Sequence, residues 1–115
     1  MNTMPSGDGA GPVYRVDKFD VPVESLPEFL ERVRRVQRLL GSLAGCGQNL
    51  VLTQTAGPAR FNVVTVVEWA SDRAMSDARS RMQALYRLEG FDPEAFLSAH
   101  QVQSDLGVYV PAGNP

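Results

Sequence analysis

The chain is poor in the side chains that do most enzyme chemistry. Its 115 residues hold one cysteine, Cys46, one histidine, His100, and one lysine, Lys18. A lone cysteine leaves no intrachain disulfide and no CxxC, which fits a reducing compartment. With one Cys and one His, a zinc site built from several such ligands is excluded, and no metal is expected. No apolar run reaches the roughly 20 residues of a membrane helix. No basic start followed by an apolar core is seen, so no signal peptide is read and a cytoplasmic location is expected. A Ser-His-Asp set and a Gly-rich phosphate loop are also missing from the pattern. Net charge is −2 and the pI about 5.3. This argues against a nucleic-acid partner, which needs a clustered basic surface.

What is present is the composition of one folded domain, 43% hydrophobic and 21% charged, long enough to bury a core. Residues 1–12, "MNTMPSGDGAGP", read as a disordered leader. Residues 13–110 form the domain, and 111–115 a tail. "VYRVDKFDV" reads as a strand from its β-branched and aromatic content. In "PVESLPEFLERVRRVQRLLGSLAG", Leu26, Phe29, Leu30, Val33, Val36, Leu40 and Leu43 recur at helical spacing. Ser25 and Glu28 have the spacing of a capping box, and Pro27 falls in the first turn. The arginines Arg32, Arg34, Arg35 and Arg38 read as a solvated face, with Glu31 and Arg35 an i,i+4 pair.

"QNLVLTQT" and "FNVVTVVEW", joined by "AGPAR", predict an antiparallel hairpin. Phe61, Val63, Thr65, Val67 and Trp69 share one face of the second strand; Asn62, Val64, Val66 and Glu68 share the other. Both faces are largely apolar, so a cover is expected on each. "SDRAMSDARSRMQALYRLEG" is a second helix capped by Ser71 or Asp72. "DPEAFLSAH" is a third, with Asp92 as cap and Pro93 at the first helical position. "QVQSDLGVYV" is the last strand. The order β-α-β-β-α-(α)-β is that of an α+β, ferredoxin-like sandwich. The helices would cover one sheet face, and a second copy the other, giving a homodimer through sheet-to-sheet packing.

"FDVPVESLPEFLERV", the hairpin after it and above all "VVTVVEWASDRAMSDA" resemble the antibiotic-biosynthesis-monooxygenase (ABM) family across roughly residues 13–110. The family's strand-end Glu/Gln/Arg-Trp-x-Ser pattern appears as Glu68-Trp69-Ala70-Ser71. The resemblance implies a dimeric α+β barrel and oxidation of a small aromatic or polyketide-like molecule by O₂, without flavin, nicotinamide or metal. Such chemistry requires a dry aromatic pocket with a few donors, not a nucleophile.

It implies a pocket between the sheet and the two main helices, lined by Phe29, Val33, Met75, Met82 and Tyr86, with Trp69 and Thr65 in its wall. Thr65 stands where the monooxygenases carry an asparagine four residues before the tryptophan. Asn62 lies seven before it, on the opposite face. Met75 occupies the place of a tyrosine used early in the second helix by some members. The family's haem-degrading branch has a second-helix histidine, and none lies between 71 and 90.

Among polar candidates, Thr65 could donate to a substrate oxygen, and His100 could deprotonate a phenol at the pocket rim. Each also has a plain structural reading, as a strand threonine and a helix C-terminal histidine. Tyr86 could bond a substrate or a partner chain. Glu68 would face the dimer barrel, paired with Arg15 or Arg60, and Cys46 reads as inert. The leading expectation is therefore a cofactor-independent monooxygenase. The alternatives are a non-catalytic small-molecule-binding dimeric module and a purely structural dimer. The last would pack Trp69, Met75 and Met82 solid.

Overall fold

The computed structural model describes residues 11–113. The proposed leader therefore falls mostly outside the described residues, as does the end of the tail. The elements are β1 (Val13–Asp20), a 3-10 turn (Val23–Ser25), α1 (Leu26–Gly41), β2 (Cys46–Thr53), β3 (Val63–Trp69), α2 (Asp72–Glu89), α3 (Pro93–Ala99) and β4 (Gln103–Tyr109). All strand pairs are antiparallel, in the order β2-β3-β1-β4. This is the ferredoxin-like α+β fold expected from the element order.

Strand parity sets the layers. Val63, Thr65, Val67 and Trp69 are buried under the helices, while Val64, Val66 and Glu68 are half-exposed on the opposite face. The registers Leu50↔Val66, Leu52↔Val64 and Val16↔Val66 place these apolar residues together on that open face. Leu52 is 48% exposed there.

The connection between β2 and β3 is longer than "AGPAR". It spans 54–62 and is held from within: the Gln54 amide donates to the carbonyls of Gly57 (2.9 Å) and Ala59 (3.2 Å). Asn62 then clamps the chain end of β1. Its Oδ1 accepts from the Val21 amide and its Nδ2 donates to the Val21 carbonyl, both at 2.9 Å.

The helix caps follow the sequence in two cases of three. The Ser71 hydroxyl accepts from the Ala74 amide (3.1 Å), and the Asp92 carboxylate from Glu94 and Ala95 (3.0 and 3.2 Å). Ser25 forms no capping box. It already has helical backbone angles at the end of the 3-10 turn, and its hydroxyl donates instead to the His100 carbonyl at 3.3 Å. Arg35 likewise bonds Glu89 on α2 rather than Glu31 on its own helix, tying the two long helices together.

Glu68 pairs with neither arginine. Arg15 lies on the other sheet face, and Arg60 bonds Asp20 at the far end of the sheet. The register slips between Cys46 and Asn49, leaving an extra residue in β2. The Glu68 carboxylate folds over that bulge and accepts from the Gln48 amide at 2.9 Å. Gly47 makes room for it: a Cβ there would sit 2.6 Å from Glu68 Oε1.

Candidate functional site

The core under the helices is divided. One cluster gathers Val13, Val67, Trp69 and Ala78, and another Val21, Phe29, Val63 and Val102. In the β1–β3 register Val13 faces Trp69 at one end and Phe19 faces Val63 at the other. Between these ends, Arg15 pairs with Val67 and Asp17 with Thr65. A cavity of about 320 Å³ is lined by residues of both clusters and by this middle section. That volume lies at the low end of the range of about 300–1,000 Å³ for small-molecule sites.

The wall is mainly apolar and aromatic. α1 contributes Phe29, Val33, Val36 and Leu40; α2 contributes Met75, Ala78, Met82 and Tyr86; α3 contributes Phe96 and Leu97. Every residue placed in the pocket from sequence is in this wall: Phe29, Val33, Met75, Met82, Tyr86, Trp69 and Thr65. Trp69, Met75 and Met82 all border the cavity, while Trp69 and Met82 are otherwise buried. Phe29 is held on two sides, edge-on to Phe19 at 5.1 Å and stacked near Phe96 at 6.4 Å.

His100 is not in the wall. Its ring packs on Phe96, which is, with ring centres 4.4 Å apart. Its Nδ1 lies 3.0 Å from the Phe96 carbonyl and its Nε2 3.3 Å from Glu28 Oε1. The carbonyl, aided by Glu28, raises the imidazole pKa against the opposing effect of burial. These contacts tie the end of α3 to the start of α1.

Five polar residues in the wall were not among the sequence candidates: Gln37, Arg32, Arg79, Arg15 and Asp17. Gln37 is buried with its amide donating to Asn49 Oδ1 at 2.5 Å, while Asn49 donates to the Gln37 carbonyl. Arg32 stacks its guanidinium 3.8 Å from the Phe91 ring centre. Arg15 and Asp17 form an ion pair, Nε to Oδ1 at 2.6 Å. Strand parity was the available signal for the last two, since positions 13, 15, 17 and 19 share the face that buries Val13. The Tyr86 phenol is pushed up in pKa by burial, with Arg32 acting in the opposite direction.

Burial also raises the Asp17 carboxyl above the ordinary carboxylate value, and the Arg15 hydrogen bond and charge offset this only in part. Between the ordinary value and the raised one, the unfolded chain has lost this proton and the folded chain still holds it. Asp17 therefore adds stability at low pH that is lost as pH rises through its folded pKa. Asp17→Asn removes that component. In thermal unfolding across a pH series, the variant should gain on wild type as pH rises through this window, and a constant difference would contradict the assignment.

Among the described residues no three His, Cys, Asp or Glu side chains gather as a metal cluster, and no helix is long and apolar enough to cross a membrane.

No family model matches the chain, and no curated protein matches it. Solved structures do. SnoaB, a cofactor-independent oxygenase from Streptomyces nogalater, aligns at a TM-score of 0.67 and 21% identity, over 91% of this chain and 97% of that one. A candidate antibiotic biosynthesis monooxygenase from Deinococcus radiodurans aligns at 0.64 and 17%, over 90% and 94%. A haem-degrading protein from Mycobacterium tuberculosis aligns at 0.59 and 16%, over 90% and 98%. The resemblance read from "VVTVVEWASDRAMSDA" is thus met in the neighbours of the structure. At these identities the likeness establishes a shared fold, one that carries both oxygenase and haem-degrading members.

Proposed function

We propose that this protein is a cofactor-independent monooxygenase acting on a small aromatic or polyketide-like molecule, and that it works as a homodimer joined through the open sheet face. One observation carries the reading: a largely apolar, aromatic-lined cavity lies between sheet and helices, with Trp69 and Thr65 in its wall, on the fold that SnoaB also has. A planar substrate would lie between the Phe29 side of α1 and the Met75–Met82 side of α2.

The chemistry asks little of the protein beyond this. A substrate methylene flanked by aromatic rings ionises, and its carbanion supplies the electrons that reduce O₂. One oxygen atom ends as the product carbonyl. The other leaves as water with the two methylene hydrogens, so CH₂ and O₂ give C=O and H₂O. The protein excludes bulk water from the anion and supplies donors to the oxygen on which its charge collects. Thr65 is proposed as one such donor, and Trp69 as a wall against which the ring stacks.

Oxygen consumption with 1,8-dihydroxyanthrone, without added metal or flavin, tests the reading. Wild type should consume oxygen above the buffer rate. Thr65→Ala should slow it by about a hundredfold to a thousandfold if the hydroxyl donates to developing charge. Trp69→Phe should raise KM more than it lowers kcat. Tight binding of such phenols with no oxygen uptake by wild type would replace this reading with the non-catalytic binding module. Thr65 in the place of the family's asparagine is the feature that favours that second reading.

A further inference from the structure

The polar centre of the cavity has capacity that the fold does not use. Arg15 Nε satisfies Asp17 Oδ1, but no protein donor to Asp17 Oδ2 is found among the described residues. Nor is a protein acceptor found among them for the two terminal nitrogens of Arg15. The Thr65 hydroxyl, on a residue only 5% exposed, has no hydrogen-bond partner there either. Thr65 stands directly across the β1–β3 pair from Asp17, on the same sheet face, and all three side chains line one cavity. Buried polar groups are normally paired, which bears most on Thr65; the Asp17 and Arg15 side chains are 18% and 30% exposed. A carboxylate oxygen, a guanidinium edge and a hydroxyl left open side by side form a site for one further polar group. That group must offer a proton to the carboxylate and accept from the two donors, as a hydroxyl on an aromatic ring does.

We propose that Asp17 is the proton acceptor of this cavity, taking the proton of an acidic O–H on a phenol or an enolised aryl ketone, while Arg15 and Thr65 hold the resulting oxyanion. The proposal rests on the cavity being the binding site for an aromatic substrate. It narrows the substrate class to molecules with such a hydroxyl near the middle of the apolar body. The O–H bond breaks, its electron pair stays on the substrate oxygen, and the proton goes to Asp17 Oδ2. Arg15 then exchanges part of its bond to the neutralised carboxyl for the new anion. The charge remains on one oxygen or the other throughout, always beside the same guanidinium. Burial of Asp17, which weakens its hold on the negative charge, favours this transfer. The other titratable groups in that wall are Arg32 from α1 and Arg79 and Tyr86 from α2; α3, β3 and β4 contribute none among the described residues.

The test uses 4-nitrophenol without oxygen, at a pH where the free probe is fully ionised, with binding followed calorimetrically in buffers of different ionisation enthalpy. Wild type should take up about one proton per bound probe, because the carboxylate and the phenolate must share one. Asp17→Asn should still bind the phenolate, through the freed Arg15, with no proton uptake. Asp17→Glu, which keeps the carboxyl, should keep the uptake and confirms that the site tolerates substitution. With the anthrone, Asp17→Asn should also lower kcat by about 100-fold or more. Failure of wild type to bind the probe, absence of proton uptake, or equal uptake by wild type and Asp17→Asn would overturn the proposal, whatever the oxygen electrode shows. Proton uptake confined to the carboxyl-bearing forms, without oxygen consumption, would uphold Asp17 and remove the oxygenase reading alone.

Discussion

Phe29→Ala should lose about 3–5 kcal/mol of folding stability, measured by denaturant unfolding. The side chain is 1% exposed and packs into the cluster of Val21, Val63 and Val102. Truncating it removes both aromatic contacts and opens new space next to a cavity that already exists. A domain of this kind has a total stability of about 5–15 kcal/mol, so the loss is a large part of the whole. Val33→Ala, from the next turn of the same helix but only half-buried against the cavity, should cost well under half as much. Equal losses at the two positions would mean that the cavity is not a gap in the packing around Val33, and the division of the core into two clusters would be wrong.

Val66→Arg should convert the proposed homodimer into a folded monomer. Val66 lies on the face away from the helices, in register with Val16 on one side and Leu50 on the other. Leu52 and Val64 extend that apolar surface. An arginine there would bring a charge from each copy into a dry interface, a juxtaposition that costs several kcal/mol. At 1.4 kcal/mol per tenfold, that weakens association by about a thousandfold. Light scattering should give a dimer mass for wild type and a monomer mass for the variant, with unchanged circular dichroism. A monomeric wild type, or a variant of unchanged mass, would refute association through this face. The same surface contains Tyr109, which lies over Gly107 on the edge strand β4.

The fold was legible because each element carried its own local signal. The α1 stripe from Leu26 to Leu40, the Asp92 cap and the β-branched run in "VVTVVEW" were each readable independently of the rest, and Ser71 was one of two caps offered for α2. Parity alone put Thr65 and Trp69 on a common face. What escaped the sequence depends on tertiary partners. Ser25 and Glu28 have capping-box spacing, but the preceding 3-10 turn changes the backbone angles at Ser25 and sends its hydroxyl to His100. Glu31 and Arg35 have pairing spacing, yet Glu89 from another helix takes the arginine. Glu68 answers a bulge that no periodicity announces. His100 follows a helix that ends beside α1, so its imidazole meets Glu28 rather than the cavity. From sequence, Arg15 enters only as a partner offered for Glu68, and Asp17 has no role. They are instead the charged centre of the buried face, and the same parity that placed Thr65 would have placed them.

The central claim is that the cavity brings an ionised aromatic substrate to O₂ and that the substrate itself supplies the electrons. The most direct measurement is mass spectrometry of the product formed from 1,8-dihydroxyanthrone by the purified protein under isotopically heavy oxygen gas, in ordinary water, with chelator present. One heavy oxygen atom is expected in the new carbonyl, at a protein-dependent rate that falls with Asp17→Asn. A carbonyl oxygen drawn from water as fast as product forms, or a rate no different from that without protein, would contradict it.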